Sequence, residues 1–119
     1  MVAKVELAGF ALQRLCGIGG ARFVVRLVDL FLETVPRRLE IAEFGERSGD
    51  LVAVARAVHS LRSSFQIVGA DDLAMLAGRI EERAREGDRR LAGSLLGELK
   101  VGVQRALKQL DEERKKLEG

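Results

Sequence analysis

The chain has 119 residues, 47% of them hydrophobic and 32% charged, which is enough for one hydrophobic core and too few for two. Its 20 basic and 18 acidic side chains leave a net charge of +2, a near balance that argues against nucleic acid as the main partner, because binding a phosphate backbone calls for a concentrated basic face. The single cysteine, Cys16, and the single histidine, His59, exclude an internal disulfide and are too few for a zinc site, so a reduced, cytoplasmic setting is the default expectation.

Along the chain, Val5, Leu7, Ala8, Leu12 and Leu15 recur at helical spacing and predict a short first helix over residues 2–15. Lys4, Glu6 and Arg14 interrupt its apolar character before it reaches the length of a signal peptide or a membrane span. Gly17-Ile18-Gly19-Gly20 then reads as a turn. A glycine cluster that cradles phosphate needs a strand before it and a Lys or Ser/Thr arrangement after it; neither is present, so no nucleotide site is visible.

Residues 21–47 form the second predicted helix, with Pro36 inside it and a kink expected there. Its first half carries Phe23, Val24, Val25, Leu27, Val28, Leu30, Phe31, Leu32 and Val35, an apolar arc roughly twice the width of an ordinary core-facing stripe. Either the arc lines the bundle interior on two sides, or its edge near Val25 and Leu32 is a docking surface.

Ser48-Gly49-Asp50 ends that helix and caps the next, predicted over residues 51–68 with Leu51, Val54, Val58, Leu61 and Phe65 as its buried stripe. Gly69 stops it, and Asp71 or Asp72 can cap a fourth helix whose stripe is Leu73, Leu76, Ala77, Ile80 and Ala84. The arginines at 83, 85, 89 and 90 are interleaved with Glu81, Glu82, Glu86 and Asp88, the pattern of a solvated helical junction. After Gly87-Asp88 a final helix turns Leu91, Leu95, Leu99, Val103, Leu107 and Leu110 inward, and residues 111–119 form a charge-dense tail. Short loops between amphipathic helices specify one all-α domain over residues 1–119, an antiparallel up-down-up-down four-helix bundle with an additional short N-terminal helix.

His59 falls about 120° from the centre of the third helix's stripe, at the border between core and water. Val52, Ala55, Arg56, Arg62, Ser63 and Gln66 surround it on the helical wheel, apolar at one edge and cationic and hydroxylic at the other. A lone histidine is most often an ordinary surface or core residue, but the run His59-Ser60-Leu61-Arg62-Ser63-Ser64, followed by Gly69-Ala70, Leu73, Leu76, Ile80 and Glu81, resembles the histidine-containing phosphotransfer (HPt) domain of bacterial two-component phosphorelays. The similarity extends upstream to residues 31–36 and downstream to Gly87-Asp88. In this pattern the family usually has Lys where this chain has Arg62, and often Gly where it has Ser63. Arg62 keeps the positive charge with a different geometry, and Ser63 adds a side chain one turn from His59.

The resemblance implies that His59 is a phosphoryl acceptor, with Arg62 and Ser63 beside it. It implies a receiver domain as partner, which brings the activated aspartyl phosphate and the Mg²⁺ and takes the group back reversibly. A neutral imidazole is a competent nucleophile toward an activated phosphoryl group. With no nucleotide loop and no paired carboxylates for Mg²⁺, the chain is expected to be a phosphocarrier without a cofactor or metal of its own, and not an autonomous kinase. A monomer that binds neither nucleic acid nor membrane is expected, docking its partner through Val25, Leu32, Val52, Ala55, Arg56 and Gln66. The competing reading is a non-phosphorylated helical adaptor in which His59 is incidental, since a helical bundle alone implies no function. An exposed His59 beside apolar surface favours the carrier, and a buried one the adaptor.

Overall fold

A computed structural model describes residues 11–118, with Gln13 described by its backbone alone. Four helices follow one another: α1 (Leu12–Ser48), α2 (Leu51–Val68), α3 (Asp71–Arg85) and α4 (Arg89–Glu118). α2 packs against α1 and α3, and α4 packs against the same two. The result is an antiparallel four-helix bundle with extents of 45 × 22 × 21 Å. The N-terminal helix expected over residues 2–15 lies mostly outside the described residues; its last turn opens α1.

The turns explain why the helices stop where they do. Gly49, Gly69 and Gly87 have φ of 80°, 76° and 81°, a left-handed conformation that costs a residue with a side chain about 1–2 kcal/mol. At each, the glycine N–H and the next residue's N–H turn back to close the helix. Asp50 N–H reaches the Gly45 carbonyl at 2.8 Å, Ala70 that of Phe65 at 2.8 Å, and Asp88 that of Arg83 at 2.9 Å. Asp50 and Asp88 then cap the following helices, their Oδ1 atoms accepting from Ala53 N–H at 3.0 Å and Leu91 N–H at 3.1 Å. α3 differs from expectation: Ala70 occupies the cap position without a side-chain bond, and Asp71 and Asp72 sit in the first turn, where their charge complements the helix dipole.

α1 departs from helical geometry at Gly20 (φ 82°, ψ 175°) and not at Pro36. The expected glycine turn is therefore a single-residue break. At Pro36, where a kink was expected, the backbone keeps helical φ/ψ. Ala11 N–H donates to the Val68 carbonyl at 2.6 Å, tying the start of α1 to the end of α2.

The core combines Val24, Val28, Phe31 and Val35 of α1, Val54, Val58, Leu61 and Phe65 of α2, and Leu95, Leu99, Val103 and Leu110 of α4. The Phe31 and Phe65 rings meet with centroids 6.0 Å apart and a 57° tilt. Leu91, expected to point inward, is exposed, and Ala92 is buried instead. α3 contributes Ala74, Ala77, Ile80 and Ala84; small side chains on its inner face let a neighbouring helix approach closely.

Removing the Phe65 ring empties the centre of this core. Phe65→Ala is expected to lower unfolding free energy by about 3–5 kcal/mol in urea denaturation; a loss under about 1 kcal/mol would mean that the site collapses around the gap.

Candidate functional site

α2 presents the His59 side chain to solvent, 62% exposed, while its Nδ1 lies 3.1 Å and 3.0 Å from Oε1 and Oε2 of Glu81 on α3. Glu81 is buried, with a side chain only 10% exposed. It continues the alanine face of α3 in phase, Ala74-Ala77-Glu81-Ala84, so the carboxylate comes up between the two helices directly under the imidazole. One turn on, Arg85 closes over it, donating from Nε at 3.1 Å and from Nη2 at 2.7 Å to Oε2. A carboxylate without a partner at this depth would be costly; here every bond it accepts comes from a charged or chargeable donor.

Burial pushes the Glu81 carboxyl up, but the opposing hydrogen bonds and charges of Arg85 and His59 outweigh it and hold the group below its ordinary value. Glu81 is therefore ionised and can only accept. The proton of a neutral imidazole consequently resides on Nδ1, and the lone pair on Nε2. Nε2 makes no hydrogen bond to any described residue.

The cations near His59 are unoccupied. Arg56 and Arg62, both exposed, take part in no ion pair among the described residues, whereas Arg83, Arg85, Arg89 and Arg114 all do. Arg62 rests against α3 at Gly78. Ser63 is exposed, and the hydroxyl fixed in a hydrogen bond is that of its neighbour Ser64, which donates to the Ser60 carbonyl at 3.4 Å. Val52, Arg56 and Gln66 are exposed as expected. Ala55 is not: it is 5% exposed and forms, with Leu51 and Ala84, the floor of a shallow groove rimmed by Val52, Arg56 and Arg85. No three His, Cys, Asp or Glu side chains come together as a metal site among the described residues.

A profile of the Hpt domain matches residues 26–113. The chain belongs to the Hpt domain family. Its fold matches the crystal structure of histidine-containing phosphotransfer protein B from Pseudomonas aeruginosa PAO1 with a TM-score of 0.83 at 24% sequence identity, over 89% of this chain and 91% of that one. No curated protein sequence matches the chain. Membership assigns the domain a phosphotransfer function in phosphorelays, whose Hpt members interact with receiver domains and are phosphocarriers, not kinases. No helix among the described residues is long and apolar enough to cross a membrane.

One expectation about this Hpt domain is corrected by the packing, and two residues beside His59 had been given no role. Val25 and Leu32 do not flank His59. Val25 lines a groove with Leu117 of α4, and Leu32 is half-buried against the core. Asp29 and Glu43, also on α1, pair with Arg114 at 3.3 Å and Lys100 at 3.1 Å on α4, so this flank of α1 is turned to the last helix. The exposed edge of the apolar arc is the opposite one: Leu30, 56% exposed, stands over a groove shared with Thr34, Ser64 and the 53% exposed Ile67. The two residues are Glu81 and Arg85. They complete the site, and the sequence does carry their signal, a carboxylate in phase with an alanine stripe and an arginine four residues later.

The Glu81 network carries an expected acid dependence. A carboxyl held below its ordinary value contributes stability that is present above its unfolded pKa of about 4.3 and is lost as pH falls through the lower folded value. Glu81→Gln cannot lose that contribution, so its urea midpoint should fall less than that of the wild type between about pH 5 and pH 3; parallel profiles would show that the pairing adds nothing to the fold.

Proposed function

We propose that His59 Nε2 accepts the phosphoryl group of a receiver domain's aspartyl phosphate and returns it reversibly to the same or another receiver. The observation that carries this reading is the division of labour on the ring: Nδ1 is held by a buried carboxylate while Nε2 faces water. The lone pair on Nε2 attacks phosphorus, a P–N bond forms, and the P–O bond to the receiver's aspartate breaks with the electron pair leaving on the carboxylate. No proton has to be removed. The ring becomes a phosphoimidazolium with its proton still on Nδ1, facing the negative charge of Glu81, which stabilises the positive charge as it develops.

The phosphoryl group arrives beside Arg62 and Arg56, which form no ion pair among the described residues. Phosphoryl transfer depends chiefly on positioning and charge neutralisation, and this chain supplies part of each. Mg²⁺ on the receiver supplies the rest, so the domain acts as a carrier without cofactor or kinase activity of its own. Ser63 stands close enough to influence approach to the ring. For docking, the exposed outer face of α2 (Val52, Arg56, Gln66) and the Leu30–Ile67 patch are the surfaces we assign to the receiver. A monomer in the cytoplasm, with residues 1–119 acting as one domain, fits this role.

Incubation with a receiver domain phosphorylated by phosphoramidate tests the reading. Acid-labile phosphate should appear on the wild type and be absent from His59→Gln, with unchanged helicity and melting temperature; labelling of His59→Gln would place the site elsewhere. In single turnover, Arg62→Ala should slow transfer about tenfold to a hundredfold, the equivalent of one charge-assisted contact, and Arg62→Lys should largely preserve it. Equal rates for Arg62→Ala and wild type would reduce Arg62 to a solvated surface residue.

A further inference from the structure

Arg62 is long, flexible and without an ion-pair partner among the described residues, the kind of side chain that ordinarily spreads over many rotamers. It does not stand free. The space that a β-carbon of residue 78 would take lies 3.6 Å from Cζ, 3.6 Å from Nε and 3.7 Å from Nη1 of Arg62. Three atoms of one planar group at nearly equal distance mean that the guanidinium lies face-on over Gly78. The same hollow is lined by Gln66 and, from α3, by Asp71, Ala74, Met75, Arg79 and Glu82, so the plane rests on the helix that carries Glu81.

Register connects this contact to the chemistry. α2 and α3 run antiparallel, with His59 opposite Glu81 and, one turn further along α2, Arg62 opposite Gly78. The two side chains therefore branch from α2 three residues apart, roughly 4.5 Å of helical rise. No turn or positive φ requires a glycine at this position; what the contact requires is that residue 78 carry nothing beyond a β-carbon, which leaves a surface on which a planar cation lies flat.

We infer that Gly78 is a positioning residue for phosphotransfer: its missing side chain forms the platform that holds the Arg62 guanidinium one turn from His59, ready to meet the phosphoryl group. The inference rests on the reading of His59 as acceptor and Arg62 as its cation.

The structure sets a sharp size limit. A β-carbon at 3.6 Å is an ordinary van der Waals contact, so Gly78→Ala leaves the seat intact, whereas a branched side chain extending from it toward α2 competes with the guanidinium for the same space. Wild type, Gly78→Ala, Gly78→Leu, Arg62→Ala and the Arg62→Ala/Gly78→Leu double variant are to be compared in single-turnover transfer from a phosphoramidate-charged receiver, and in the lifetime of phosphohistidine on the isolated domain. The lifetime does not involve docking, so a steric effect on the receiver leaves it unchanged. Circular dichroism and melting temperature monitor the fold, and Gly78→Gln replaces Gly78→Leu should the latter misfold.

Gly78→Ala is expected within about twofold of wild type in both readouts. Gly78→Leu should match Arg62→Ala, about tenfold or more slower in transfer and with a several-fold shorter phosphohistidine lifetime, and the double variant should be no worse than either single one. Wild-type behaviour of Gly78→Leu, an unchanged lifetime, or effects that multiply in the double variant would overturn the role of Gly78 while leaving His59 as acceptor. A wild-type domain that takes no label, or a His59→Gln domain that does, would instead remove the reading beneath it.

Discussion

The site depends on one buried carboxylate. Glu81 is drawn into the α2–α3 interface by its place in the alanine face of α3, and from there it meets His59 Nδ1 at 3.0 Å and Arg85 at 2.7 Å. The desolvation that this costs is offset only because both partners are present. The consequence is chemical as well as structural: the acceptor-only oxygen fixes the proton of the neutral ring on one nitrogen and leaves the lone pair on the other.

Around that fixed ring the charges divide into two groups. Arg85 is held in place by Glu81, and Arg89, Lys100 and Arg114 are tied to carboxylates that link or cap the helices. Arg56 and Arg62 are tied to none of the described side chains and flank the ring. A dianionic phosphoryl group arriving on Nε2 thus meets cations that need not give up an existing partner. On the proposed reading, the charges near His59 cost little while exposed and gain most in the phosphorylated state, which is differential stabilisation.

The fold was legible where local chemistry decides structure. The bounds of α2 at Leu51 and Val68 follow from Gly49-Asp50 and Gly69, because left-handed glycines and capping aspartates act within one turn of chain. His59 at the border of the stripe was equally legible, as was its exposure. Glu81 was visible only as part of a family pattern: periodicity sorts residues into apolar and polar faces, and a single carboxylate inside an alanine stripe is read as an interruption until the opposite helix supplies a histidine at the same level. The exposed edge of the α1 arc was placed on the wrong side for a related reason. The width of an apolar arc says that surplus surface exists, but which flank is covered depends on α4, whose pairing through Asp29–Arg114 and Glu43–Lys100 is set by tertiary register.

The central claim is that Glu81 assigns the two ring nitrogens their roles, and isotope-edited NMR of the phosphorylated domain tests it directly. With ¹⁵N-labelled imidazole, phosphorus should couple to Nε2 of His59 while Nδ1 remains protonated. Coupling to Nδ1, or phosphate on any other residue, would contradict the account.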